Sequence, residues 1–131
     1  MSITAQSGGG AMRLITRPEL KDKIDKKRDV KLVFVLGPWQ YQAMHIPGSL
    51  NVPCSLSLYQ SDETLAGLDR DDEIVVYCSS DICSASISAY YLLVQRGFRN
   101  VRRYAGGLLD WEGAGYPLDG EMTLAPSASA S

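Results

Sequence analysis

The stretch IVVYCSSDICSASISAYYLL, residues 74–93, sets Cys78 and Cys83 five positions apart where an apolar run gives way to small polar residues. Three chemistries fit thiols so placed. A thiolate attacks electrophilic sulfur or carbon. Two thiols within reach close a disulfide after one is oxidised. A buried thiol can also simply fill space as a small hydrophobe. Cys54, in NVPCSL with no charged neighbour, is assigned this last role. A zinc site is hard to assemble, because the chain has one histidine, His45, and no CxxC pair.

The elements around Cys78 favour the nucleophile. EIVVY (73–77) is β-branched and apolar without alternation, as a strand buried on both faces requires. Residues 84–96 have helical spacing, with Ala85, Ile87, Tyr91 and Val94 near one face and Gly97 at the C′ position. Cys78 is then the first residue beyond a strand, and residues 79–83 must turn the chain into a helix. A loop this tight points amide hydrogens inward and opens on the positive end of the helix. Such a setting stabilises an anion and lowers a thiol pKa below its ordinary ~8.5.

The rest of the chain alternates in the same way. MRLI is predicted to be a short strand. Thr16-Arg17-Pro18-Glu19 forms a capping box that opens a helix over 17–26. KLVFVL (31–36) is a buried strand, Pro38-Trp39-Gln40-Tyr41 a short helical turn, and 49–52 a brief strand. Residues 55–67 hold one or two short helices, NVRRYA (100–105) is a further strand, and LLDWEGAGYP follows Gly106-Gly107 as a last helix. Strand–helix alternation implies a parallel α/β sheet covered on both sides. Trp39, Tyr41 and Trp111 are predicted packing anchors, and Arg102 and Arg103 an exposed, charged strand end.

Composition bounds the function. The 131 residues suit one domain, with 45% hydrophobic and 21% charged residues. A net charge of −2 provides no basic footprint for nucleic acid. No run is long enough to span a membrane, and the N-terminus lacks a secretory pattern. Three cysteines, an odd number, suggest free thiols in a reducing, cytoplasmic setting. Residues 1–12 are expected to be disordered, 13–118 to form the domain, and 119–131 to be a flexible Ser/Ala-rich tail.

Three segments together resemble the rhodanese-like sulfurtransferase family. They are the Cys78 loop, HIPGSLNVP at 45–53, and GFRNVRRYAGGLLDWEGAGYP at 97–117, which span essentially all of 13–118. The resemblance implies a single rhodanese-like domain with a five-stranded parallel sheet and helices on both faces. It makes Cys78 the nucleophile that carries a sulfane sulfur as a persulfide. Ser79, Ser80, Asp81, Ile82, Cys83 and the Ser84 amide would cradle that sulfur, without cofactor or metal. The implied partners are a small sulfur donor or a persulfide-bearing protein, and a thiol or cyanide acceptor.

This chain departs from the family pattern at several positions. Ser79 and Cys83 stand where the family often has arginine, Phe34-Val35-Leu36 replaces an Asp-x-Arg, and Met44 replaces a glycine. Asp81 is the only charge in the loop; facing inward, it would repel a dianion and raise the Cys78 pKa. These departures favour a persulfide donor over thiosulfate. Same-fold phosphatases need arginine six residues after the cysteine, where this chain has Ser84. His45 belongs to a turn. Two other readings stand beside sulfur transfer: a thiol redox protein with Cys83 as resolving thiol, and a non-catalytic binding module.

Overall fold

Four runs of extended chain form the sheet: β1 (Val30–Phe34), β2 (Leu50–Asn51), β3 (Glu73–Tyr77) and β4 (Asn100–Arg103). A computed structural model describes residues 12–61 and 63–121, without the side chains of Leu56 and Ser57. The strands are all parallel in the order β2-β1-β3-β4. β3 is central, pairing with β1 from Val30↔Glu73 to Phe34↔Tyr77 and with β4 from Glu73↔Asn100 to Val76↔Arg103. Its period-2 geometry divides it between two cores. Ile74 and Val76 enter one core with Tyr59, Ala89, Leu93 and Phe98. Val75 and Tyr77 enter the other with Leu20, Phe34, Leu108 and Trp111. An unbroken apolar run is what two-sided burial demands.

Among the described residues five helices cover the sheet: α1 (Arg17–Asp25), α2 (Pro38–Ala43), α3 (Leu56–Tyr59), α4 (Ala85–Gln95) and α5 (Gly107–Gly113). The Thr16 side chain caps α1 by accepting from the Glu19 amide, and a proline sits in the first turn. α4 ends in a Schellman motif: Gly97 has φ of 91°, its amide donates to Val94, and the Phe98 amide donates to Leu93. No helix among the described residues is long and apolar enough to cross a membrane.

Several expectations change. Among the described residues the sheet has four strands, not five. MRLI contributes one parallel bridge, Leu14↔Arg103. The Thr16 cap and the proline after it turn the chain into α1 before a ladder can grow. The buried side of α4 is Ser86, Ala89, Tyr90 and Leu93, whereas Ile87, Tyr91 and Val94 stay partly exposed. Small Ser86 and Ala89 let this helix approach the sheet closely, leaving the second apolar stripe outside. Trp39 is 75% exposed and anchors nothing, because short α2 turns Tyr41 to the core side. The Tyr41 hydroxyl donates to the Ser49 carbonyl at 2.7 Å, and buried Trp111 donates to the Pro117 carbonyl at 2.9 Å. The expected terminal segments lie outside the described residues, except Met12 and 119–121. There, His45 bridges Asp119 and the Glu121 amide donates to the Gln42 carbonyl.

Candidate active site

Cys78 directly follows β3 and is 1% exposed. The loop beyond it turns tightly, with the Cys83 amide donating to the Ser80 carbonyl at 3.2 Å. The start of α5 closes over this loop from the side. The Leu108 amide donates to the Cys78 carbonyl at 3.0 Å, and the Leu109 amide to the Ser79 carbonyl at 2.9 Å. That approach needs glycine at 107, where φ is 66° and a Cβ would lie 2.5 Å from the Cys78 oxygen. The second of the paired glycines is therefore part of the site's scaffold. Of the predicted cradle residues, Ser79, Ser80 and Cys83 are half-buried, while Asp81, Ile82 and Ser84 are exposed. Asp81 turns its carbonyl inward, accepting from Arg103 Nη2 at 3.5 Å.

The Cys78 sulfur lies 3.5 Å from Ser86 Oγ, 3.6 Å from the Cys83 carbonyl and 3.9 Å from the Ser80 carbonyl. Burial pushes its thiol above the ordinary value. Contact with the Cys83 thiol adds to this, and the Ser86 hydroxyl and amide oppose it. The expected lowering at Cys78 is thus reversed, because the sulfur sits in the core with carbonyls facing it. The lowered thiol is Cys83. Burial raises that group too, but the Cys78 thiol, the Ala85 and Ser79 amides and the Ser79 side chain donate to it and outweigh burial. The Ala85 and Ser79 amides therefore favour charge on Cys83, next to Cys78.

Arg103 is not the exposed strand end expected from the sequence. It is 7% exposed, and its Nε donates to Ser86 Oγ at 2.8 Å. With a lone pair of that hydroxyl occupied by arginine, its hydrogen is free to face the Cys78 sulfur. The signal was present in β4, where Val101 and Arg103 alternate inward. Arg102 points the other way and forms a two-pronged ion pair with Glu19, both contacts at 2.8 Å. Neither arginine is a free strand-end charge.

The remaining candidates have structural partners. His45 Nδ1 lies 2.7 Å from the Tyr41 carbonyl, and its ring stacks on Tyr41 at 3.9 Å. It holds a turn. Cys54 is half-buried with a thiol raised by burial, and it is near enough to Cys83 for their charges to interact. Beside it, an open groove of about 530 Å³ is lined by Cys54, Ser55, Ile87, Ser88, Tyr91 and Leu92, which include part of the outer stripe of α4.

The fold is thus a parallel α/β sheet whose central strand ends at a buried cysteine. Residues 16–114 match the family described as the Rhodanese-like domain, and the chain belongs to that family. It is 37% identical over 105 residues to the HTH-type transcriptional regulator Rv0324 of Mycobacterium tuberculosis, covering 80% of this chain and 44% of that protein. The chain thus spans less than half the length of that relative. A sulfurtransferase of Allochromatium vinosum is 29% identical over 104 residues, covering 79% of this chain and 92% of its own. The BH2092 protein of Bacillus halodurans superimposes with a TM-score of 0.76 at 22% identity, covering 84% of this chain and 78% of its own. That likeness carries the fold.

Proposed function

We propose that the domain at 13–118 is a cytoplasmic sulfurtransferase that carries sulfane sulfur as a Cys78 persulfide. The observation that carries this reading is the placement of Cys78: a buried thiol at the carboxyl end of the central strand, beside inward-pointing amides. The Cys78 thiolate attacks the outer sulfur of a donor, the donor's S–S bond breaks, and the donor leaves as a thiolate. A thiol or cyanide acceptor then attacks the outer sulfur, and Cys78 leaves as thiolate. The amides of Ser79, Ala85 and Ser86 stabilise the charge as it moves to the terminal sulfur.

The donor best suited to this loop is a persulfide, small or protein-borne. Positions 79 and 83 hold no arginine, and Arg103 is committed to Ser86 and the Asp81 carbonyl behind the loop. Among the described loop residues 79–84 none is a cation that would hold a dianion such as thiosulfate. Exposed Ile82 and Leu109 instead make the rim apolar. Intact mass measured after incubation with a persulfide, and in parallel with thiosulfate, tests the reading. One sulfur is expected on Cys78, loaded faster from the persulfide, and none on Cys78→Ser. Undiminished uptake by Cys78→Ser would remove the assignment.

A further inference from the structure

Sulfur transfer to an outside acceptor leaves the Cys83 side chain without a task, yet this thiol is placed with care. It belongs to the tight turn closed on the Ser80 carbonyl, and its own carbonyl lies 3.6 Å from the Cys78 sulfur. The turn therefore sets Cys83 against the Cys78 sulfur, and the influence of the Cys78 thiol and of the Ala85 and Ser79 amides favours charge on Cys83. Cys83 is half-buried, so reagents reach it, whereas Cys78 is enclosed. Cys54 packs against the same core as Cys83, with a thiol that burial pushes up.

Building on the persulfide reading, we propose that Cys83 discharges the Cys78 persulfide internally, releasing sulfide and closing a Cys78–Cys83 disulfide. The Cys83 thiolate attacks Cys78 Sγ. The bond between Cys78 and the outer sulfur breaks, a Cys78–Cys83 bond forms, and the outer sulfur leaves as hydrosulfide with the proton that Cys83 gave up. The two cysteine sulfurs together lose two electrons and the sulfane sulfur gains them, so no outside oxidant is consumed. A dithiol reductant then supplies two electrons and two protons to restore both thiols. The amides that hold charge on Cys83 before the attack are placed to hold it on the departing sulfide afterwards. An outside acceptor competes with Cys83, and the disulfide blocks reloading until the dithiol acts. The loop so built couples sulfur handling to thiol redox state.

The test uses the full chain, reduced, freed of reductant and given one equivalent of cysteine persulfide. Sulfide is trapped with a bimane reagent while intact mass is followed over time. The wild-type chain should release stoichiometric sulfide and end two hydrogens lighter, with both cysteines disulfide-linked in the tryptic peptide 71–96. Cys83→Ser should hold the added sulfur on Cys78 and release it roughly tenfold more slowly or less, through bimolecular attack alone. A wild-type chain that keeps its added sulfur as long as Cys83→Ser overturns the inference and leaves the carrier reading intact. Equal sulfide release from both chains without the internal disulfide overturns it as well. Failure of both chains to take up sulfur overturns the carrier reading, and the discharge step falls with it.

Discussion

At Cys78, burial and hydrogen bonding pull the thiol in opposite directions, and the balance depends on a residue far away in sequence. Burial raises the pKa, while the Ser86 hydroxyl and amide oppose it. Arg103 aims that hydroxyl by donating to its oxygen. Arg103 is thus a positioning residue. A net hydrogen bond is worth about 1 kcal/mol, so Ser86→Ala should slow sulfur loading of Cys78 about fivefold at neutral pH. Its pH profile should move toward higher pH. Arg103→Met should do the same, and the double variant should be no worse than either alone, because both changes remove one interaction. A purely structural role for Arg103 would lower stability and leave the pH profile in place. The two thiols should also separate under iodoacetamide. At neutral pH Cys83 should be alkylated before Cys78, since only its pKa is lowered and only it reaches solvent. Peptide mass spectrometry of briefly labelled protein reads the order directly.

Single contacts between elements decide how the loop is held. Gly107 lets α5 dock its first amides on the Cys78 and Ser79 carbonyls. In Gly107→Ala, a positive φ combines with a methyl group pressed against backbone. The expected loss of stability is at least about 2 kcal/mol, read from the urea midpoint at unchanged slope. Sulfur loading should fall in the fraction that remains folded, because the loop loses its side support. A second tie joins β3 to the 45–49 turn. The Tyr77 hydroxyl accepts from the Ile46 amide at 2.9 Å and lies 2.6 Å from Ser49 Oγ, all of it buried. Tyr77→Phe orphans that amide and should cost about 1–3 kcal/mol in the same measurement. The HIPGS turn was visible in the sequence, but its anchor on the neighbouring strand was not.

At the scale of the whole molecule, the two cores enclose phenols that set an alkaline limit on stability. Burial raises the hydroxyls of Tyr59 and Tyr77, which donate or share hydrogen bonds at Val52 and Ser49. Both folded-state values therefore exceed those of the unfolded chain. Below the ordinary tyrosine value of ~10 neither state is ionised and the full stability is present. Above it the unfolded chain releases protons that the folded chain keeps, so stability should fall as pH rises. The raised Cys78 and Cys54 thiols act in the same direction from lower pH, and the lowered Cys83 thiol opposes them there. Urea unfolding across pH 8 to 11 should show a declining midpoint, with part of the decline absent in Tyr59→Phe. A flat profile would contradict the burial of these hydroxyls.

What the sequence determined by itself was local in origin. Continuous β-branched runs specify buried parallel strands, and Thr16 and Gly97 specify where two helices begin and end. The change from EIVVY to small polar residues places Cys78 at a strand-to-helix turn. Each depends on neighbours within a few positions along the chain. The tertiary structure decided everything that depends on partners from other elements. Four strands form because the cap on α1 ends the MRLI pairing after one bridge. α4 turns its small residues inward because close packing on the sheet outweighs burial of Ile87, Tyr91 and Val94. Arg103 goes inside because Ser86 and the loop carbonyl of Asp81 accept its hydrogens. Cys83, not Cys78, becomes the more acidic thiol, since charge is stabilised by whichever sulfur the folded amides reach and opposed at the sulfur the core encloses.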